Sequence, residues 1–197
     1  MSAIWNSSDG SGLKSAWDDM FQEACGSYTD AAASYLSALR SRIEPRELQI
    51  QRIRDGFERA SFKKGFWFFK WTDQKKTRQN EEEYQRSTAE KAEELAVVKH
   101  NVDAGFMAKI GAVRQRYSDF VHQTPAPFEE KASGFKAKVL QILDNLHDMT
   151  VKSPEVLVPT DDSELEQDGP IPFDEGVPKA NRLYQEAVHE FGPDTNL

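Results

Sequence analysis

Cysteine, early proline and long apolar runs are all scarce in this chain. Cys25 is the one cysteine in 197 residues, so no disulfide can form within it. No aromatic or aliphatic run is longer than the four residues of Phe66-Trp67-Phe68-Phe69. A membrane-spanning helix needs about 20 apolar residues, so none is expected. Residues 1–10 carry neither a basic start nor an apolar stretch, so no secretory signal is read there. The expectation is a cytoplasmic protein, or one exported without a cleaved signal peptide.

A basic excess is missing too. Lys and Arg number 25 and Asp and Glu 33, a net charge of -8. Nucleic-acid binders neutralise phosphates with surplus cations, so nucleic acid is disfavoured as a partner. From Lys152 onward there are three basic residues against eleven acidic ones. Residues 1–150 therefore balance, with 22 charges of each sign. Also absent are a phosphate-binding glycine loop, a Cys-x-x-Cys pair and a Gly-x-Ser-x-Gly elbow. The chain is expected to be no enzyme, with no catalytic residue, no cofactor and no metal.

Proline shows where the chain changes character. Pro45 is the only one in the first 124 residues, and six fall after residue 150. Proline removes a donor and clashes one turn back, so its scarcity permits long helices. Apolar residues at steps of three and four predict helices at 12–43, 45–71, 73–122 and 128–150. The first carries Leu13, Trp17, Met20, Phe21, Ala24, Tyr28, Ala31, Tyr35, Leu39 and Ile43 on one stripe. Glu44-Pro45 should end it, with proline opening the next helix. The most regular stripe is Phe128, Ala132, Phe135, Val139, Ile142, Leu146 and Met149, which suits coiled-coil-like packing. The expected fold is all-α. It is an elongated antiparallel helical bundle with long coiled-coil-like helices and an acidic, proline-rich C-terminal extension ending in a short helix.

The expected organisation is a flexible N-terminus at 1–11, a bundle at 12–150, a linker at 151–177 and a docking helix with the chain end at 178–197. The linker holds eight acidic residues and four prolines. Such a segment buries too little apolar surface to offset its chain entropy. In the docking helix, Leu183, Tyr184, Ala187, Val188 and Phe191 share one side. A helix this short is marginal alone, so that face needs a cover, from this chain or another protein. Residues 1–150 are expected to stay helical and soluble without 151–197.

One segment has unusual surface chemistry. Phe62, Lys63, Lys64, Phe66, Trp67, Phe68, Phe69, Lys70 and Trp71 place six of the chain's 21 aromatics within ten positions. From Lys63 to Arg78 six basic residues face Asp73 alone. Rings with polar edges among lysines suit a bilayer interface or a partner surface. A turn buried between helices is the structural alternative. The half-helix after it, 73–91, has only Tyr84 and Ala89 as apolar residues and reads as a solvated extension. Three acid-x-x-His pairs, Asp119/His122, Asp144/His147 and Glu186/His189, resemble metal-ligand spacing. Their helical angles turn them outward or sideways, so solvated histidines are expected. Cys25 reads as a buried, inert thiol.

These readings point to a non-enzymatic interaction or scaffold protein, binding other proteins through its bundle and C-terminal segment. The alternative is a peripheral membrane-active protein, of membrane-binding or pore-forming type, inserting residues 62–71. Protein partners come first. An anionic membrane surface and a second copy, as a homo-oligomer, follow.

Overall fold

The computed structural model describes residues 10–65, 74–158 and 176–193, with side chains for 12–58, 78–158 and 176–193. The fold is all-α, and no strand occurs among the described residues. Among the described residues five α-helices follow in order: α1 (Gly10–Ala38), α2 (Glu44–Gly65), α3 (Gln74–Gln123), α4 (Ala132–Lys152) and α5 (Val177–Phe191). Short 3₁₀ turns occupy Glu129–Lys131 and Pro154–Leu157.

The expected break at Glu44-Pro45 takes a different form. Leu39–Ile43 is a π-helix, and the Glu44 N–H reaches back five residues to the Leu39 carbonyl. Proline at 45 has no N–H to give to the turn before it. A wider turn accommodates that missing donor without leaving helical backbone.

The stretch expected as one bundle divides into two compact units, Met1–Leu36 with Phe106–Leu197, and Ser37–Gly105. In the first unit four helices share one apolar core. Trp17, Phe21, Tyr28 and Ala32 enter from α1, and Ile110, Tyr117 and Val121 from α3. Phe135, Val139, Leu143 and Leu146 enter from α4, and Ala180, Tyr184 and Ala187 from α5. The stripes follow the 3.6-residue period, which is why these helices bury one face each. Trp17 is fully buried, and its indole N–H donates to the Pro125 carbonyl at 2.9 Å. Thr150 is buried among apolar residues and donates to the Leu146 carbonyl at 2.7 Å, which satisfies its hydroxyl.

The chain stays in this core beyond residue 150. Pro154 and Leu157 are buried in the 3₁₀ turn. Gly176 then opens α5 with φ 75°, and a Cβ there would stand 3.1 Å from the Val156 carbonyl oxygen. Glycine alone combines that dihedral with so close an approach. The composition of 151–177 is acidic as a whole and hides these packed residues at its start.

The second unit pairs α2 with the first part of α3. Phe57 stacks on Tyr84 at 4.0 Å, and Lys99 Nζ meets Glu47 Oε1 at 2.6 Å. The higher number on α2 meets the lower on α3, so the two helices run antiparallel. Tyr84 is thus not part of a bare extension. It has an aromatic partner on α2 that local sequence does not reveal.

Candidate functional site

Three helices of the first unit bring five polar side chains to the edge of its core. Tyr28 comes from α1, Arg114 and Tyr117 from α3, and Asp144 and His147 from α4. The Tyr117 hydroxyl donates to Asp144 Oδ1 at 2.9 Å, and Arg114 Nη2 lies 3.2 Å from the same oxygen. The Tyr28 hydroxyl meets His147 Nδ1 at 3.1 Å, with their rings 5.8 Å apart. A neutral imidazole accepts that bond.

Burial pushes the Tyr28 phenol up to about 12, with the Asp144 carboxylate adding to it. Burial also drives Tyr117 far above its ordinary value, helped by the Tyr28 hydroxyl and Asp144. Both phenols are therefore protonated donors at neutral pH and poor acids. The cluster fastens α1, α3 and α4 in register.

His147 is held below the ordinary histidine value, first by burial and then by Arg114. Asp148 and Asp144 pull the other way. The unfolded chain therefore takes up this proton at higher pH than the folded one. Stability from this site is present above about pH 6.5 and declines as pH falls toward the lowered folded value. Thermal unfolding across pH 7.5 to 5 should show this decline. It should flatten in His147→Gln. An unchanged slope in that variant would place the effect elsewhere.

The three acid-x-x-His pairs separate in the structure. His122 and His189 are exposed, as their helical angles predict. His147 is half-buried and bonded to Tyr28, a residue 119 positions away that no local pattern could supply. No group of three or more metal-ligating side chains occurs among the described residues. Cys25 is buried, and burial pushes its thiol up to about 12. Thiolate, the reactive form, is correspondingly rare.

The docking-helix residues meet a partner within the chain. Tyr184 and Ala187 are buried, while Leu183, Val188 and Phe191 are half-buried. Tyr184 stacks on Phe21 at 4.1 Å, and its hydroxyl donates to Asp18 Oδ1 at 2.8 Å. Gln22 Nε2 donates to Asn181 Oδ1 at 2.9 Å. Phe191 sets its edge against Phe135 and lies over Gly134, where any Cβ would collide with the ring. The apolar face of α5 is covered by α1 and α4.

The aromatic-basic segment fares differently. Phe62, Lys63 and Lys64 fall in the last turn of α2, and their side chains lie outside the described residues. Phe66, Trp67, Phe68, Phe69, Lys70 and Trp71 lie wholly outside them.

Sequence reasoning missed a groove in the second unit. It has a volume of about 600 Å³ and runs between α2 and α3. Ile50, Leu95, Ala92 and Ala96 line it, with Glu47 and Arg54 at its rim. The signal was present as an i, i+3, i+4, i+7 set on each helix. On α3 two of those positions are alanine, too small to register as an apolar stripe. Leu48 and Val97 on the same two helices are 52% and 55% exposed.

No protein-family model, curated protein or solved structure matches the chain.

Proposed function

We propose that this is a non-enzymatic interaction or scaffold protein and that the hairpin of α2 and α3 is its contact surface. The observation that carries this reading is the half-covered hairpin. Leu48 and Val97 are more than half exposed, and Ile53, Phe57, Leu95 and Val98 are only partly buried. Exposed apolar surface of this kind favours a partner. The first unit, by contrast, has a closed core with α5 as one wall. The reading keeps the antiparallel, coiled-coil-like packing expected of the long helices. It moves the expected contact away from the C-terminal helix, whose apolar face is already occupied.

A photo-cross-linker at Leu48, introduced in the cells of origin, tests this. One at exposed His189 serves as the comparison. A defined adduct at Leu48, with only background at His189, is the expected result. The purified adduct partner should then bind the full chain and lose affinity for Leu48→Asp. Background alone at Leu48 contradicts the reading.

The second reading is a peripheral membrane protein inserting residues 62–71. Its support is the cluster of rings and lysines in the stretch that joins α2 to α3. No described helix is long and apolar enough to cross a membrane. This reading expects co-sedimentation with anionic vesicles, reduced by Phe66→Ser, Trp67→Ser and Phe69→Ser together. A chain that stays in the supernatant contradicts it.

A further inference from the structure

We propose that the groove face of the hairpin is a self-association surface, occupied by the same face of a second copy in antiparallel orientation. This rests on the interaction reading and names its partner.

Two helices meet along one line and leave the flanks of that line open. Among the described side chains of this unit, only Ile43, Ile50 and Val102 are buried apolar residues. Four helices close such a seam into a core, which two hairpins laid face to face provide. The groove supplies the face. Ala92 and Ala96 are small and let another helix approach closely.

Charge selects the occupant. In a two-fold, antiparallel crossing, residues equally distant from the midpoint oppose each other. Place that midpoint between Ile50 and Gln51. Glu47 then faces Arg54 of the copy, and Arg54 faces its Glu47. Both residues sit on the groove rim. The reversal also brings Ile50 beside Gln51 of the copy, so all four groove positions of α2 meet without like charges.

The other helix agrees. The Glu47–Lys99 ion pair fixes the intrachain register. Counting from it, Leu95 and Ala96 lie level with Ile50 and Gln51. Reversal about that level brings Lys99 onto Ala92, with no like charges opposed. A parallel arrangement is worse. The last turns of α2 and the first of α3, residues 59–65 and 74–78, carry six basic residues and no acidic one, and parallel hairpins would bring two such sets together.

Light scattering and sedimentation of the full chain over a concentration series test this. The expected mass is twice that of one chain. Glu47→Arg and Arg54→Glu singly oppose like charges, so each should weaken the dimer about tenfold or more. Combining them restores opposite signs and should recover affinity to within a few-fold of the original. Ala96→Glu loses no intrachain partner and should also disrupt the dimer, with helicity by circular dichroism unchanged. It decides the matter if a charge swap lowers helicity. A monomer at every concentration overturns the inference, as does a dimer indifferent to all these variants. So does a double swap no better than its singles. A monomer that still binds a foreign protein at Leu48 overturns self-association and leaves the interaction reading standing.

Discussion

Replacing Trp17 with alanine is expected to destabilise the first unit by about 4 kcal/mol, the usual scale for truncating a buried large aromatic. Three effects combine at this position. The indole is fully buried, so its removal leaves a cavity. It packs edge-on against Phe120 at 5.3 Å and Phe135 at 5.1 Å, so rings from α3 and α4 lose their common neighbour. Its N–H also satisfies the Pro125 carbonyl, which holds the loop between those helices against α1. Trp17→Phe keeps much of the volume and loses that bond, and should cost less. Urea unfolding followed by circular dichroism gives both values. A loss below about 1 kcal/mol for Trp17→Ala would mean that the core does not centre on this residue.

Deleting residues 176–197 should have a still larger effect. The sequence alone suggested a tail that the helices could do without. The packing argues otherwise. Removing α5 takes away buried Ala180, Tyr184 and Ala187 and uncovers Phe21 and Phe135. It also opens the groove beside Ile142, Leu146 and Met149, which Ala180 and Leu183 help to line. The lost burial is on the order of 5 kcal/mol or more, comparable with the whole stability of an ordinary domain. The shortened chain should keep helical signal but lose its cooperative melt and its near-ultraviolet tyrosine and tryptophan signals. Tyr184→Phe is the gentle counterpart. It keeps the stack on Phe21, loses the bond to Asp18 and should cost about 1 kcal/mol. A sharp, near-native melt from the truncated chain would show that α5 is an accessory.

Much of the helical order was legible because it depends on local periodicity. Phe135, Val139, Ile142 and Leu146 lie on the stripe read from the sequence, and all four are buried on α4. Tyr184 and Ala187 likewise lie on the predicted face of α5. What stayed hidden involves partners far apart in the chain. His147 looked solvated by its helical angle, yet Tyr28 of α1 meets it. Tyr84 looked isolated until Phe57 supplied its stack. Pro154 and Leu157 were masked by the acidic residues that follow them. The division into two units was hidden because α3 carries one unbroken helical pattern through both. The groove was hidden because alanines contribute space rather than hydrophobic signal. Its meaning lies in how Glu47 and Arg54 are spaced, a property of the helix read in both directions.

In the proposed function partners meet the hairpin, while α5 stays packed on α1 and α4 of its own chain. Hydrogen exchange of the full chain, followed from dilute to concentrated solution, tests it most directly. At every concentration α1, α4 and α5 of the first unit should exchange slowly, because buried helices open only with much of the core. Residues 44–58 and 81–100 should exchange faster in dilute solution and gain protection as copies associate. Protection that rises on α5 instead, or a hairpin that stays unprotected while the mass doubles, would rule out the hairpin as the contact surface.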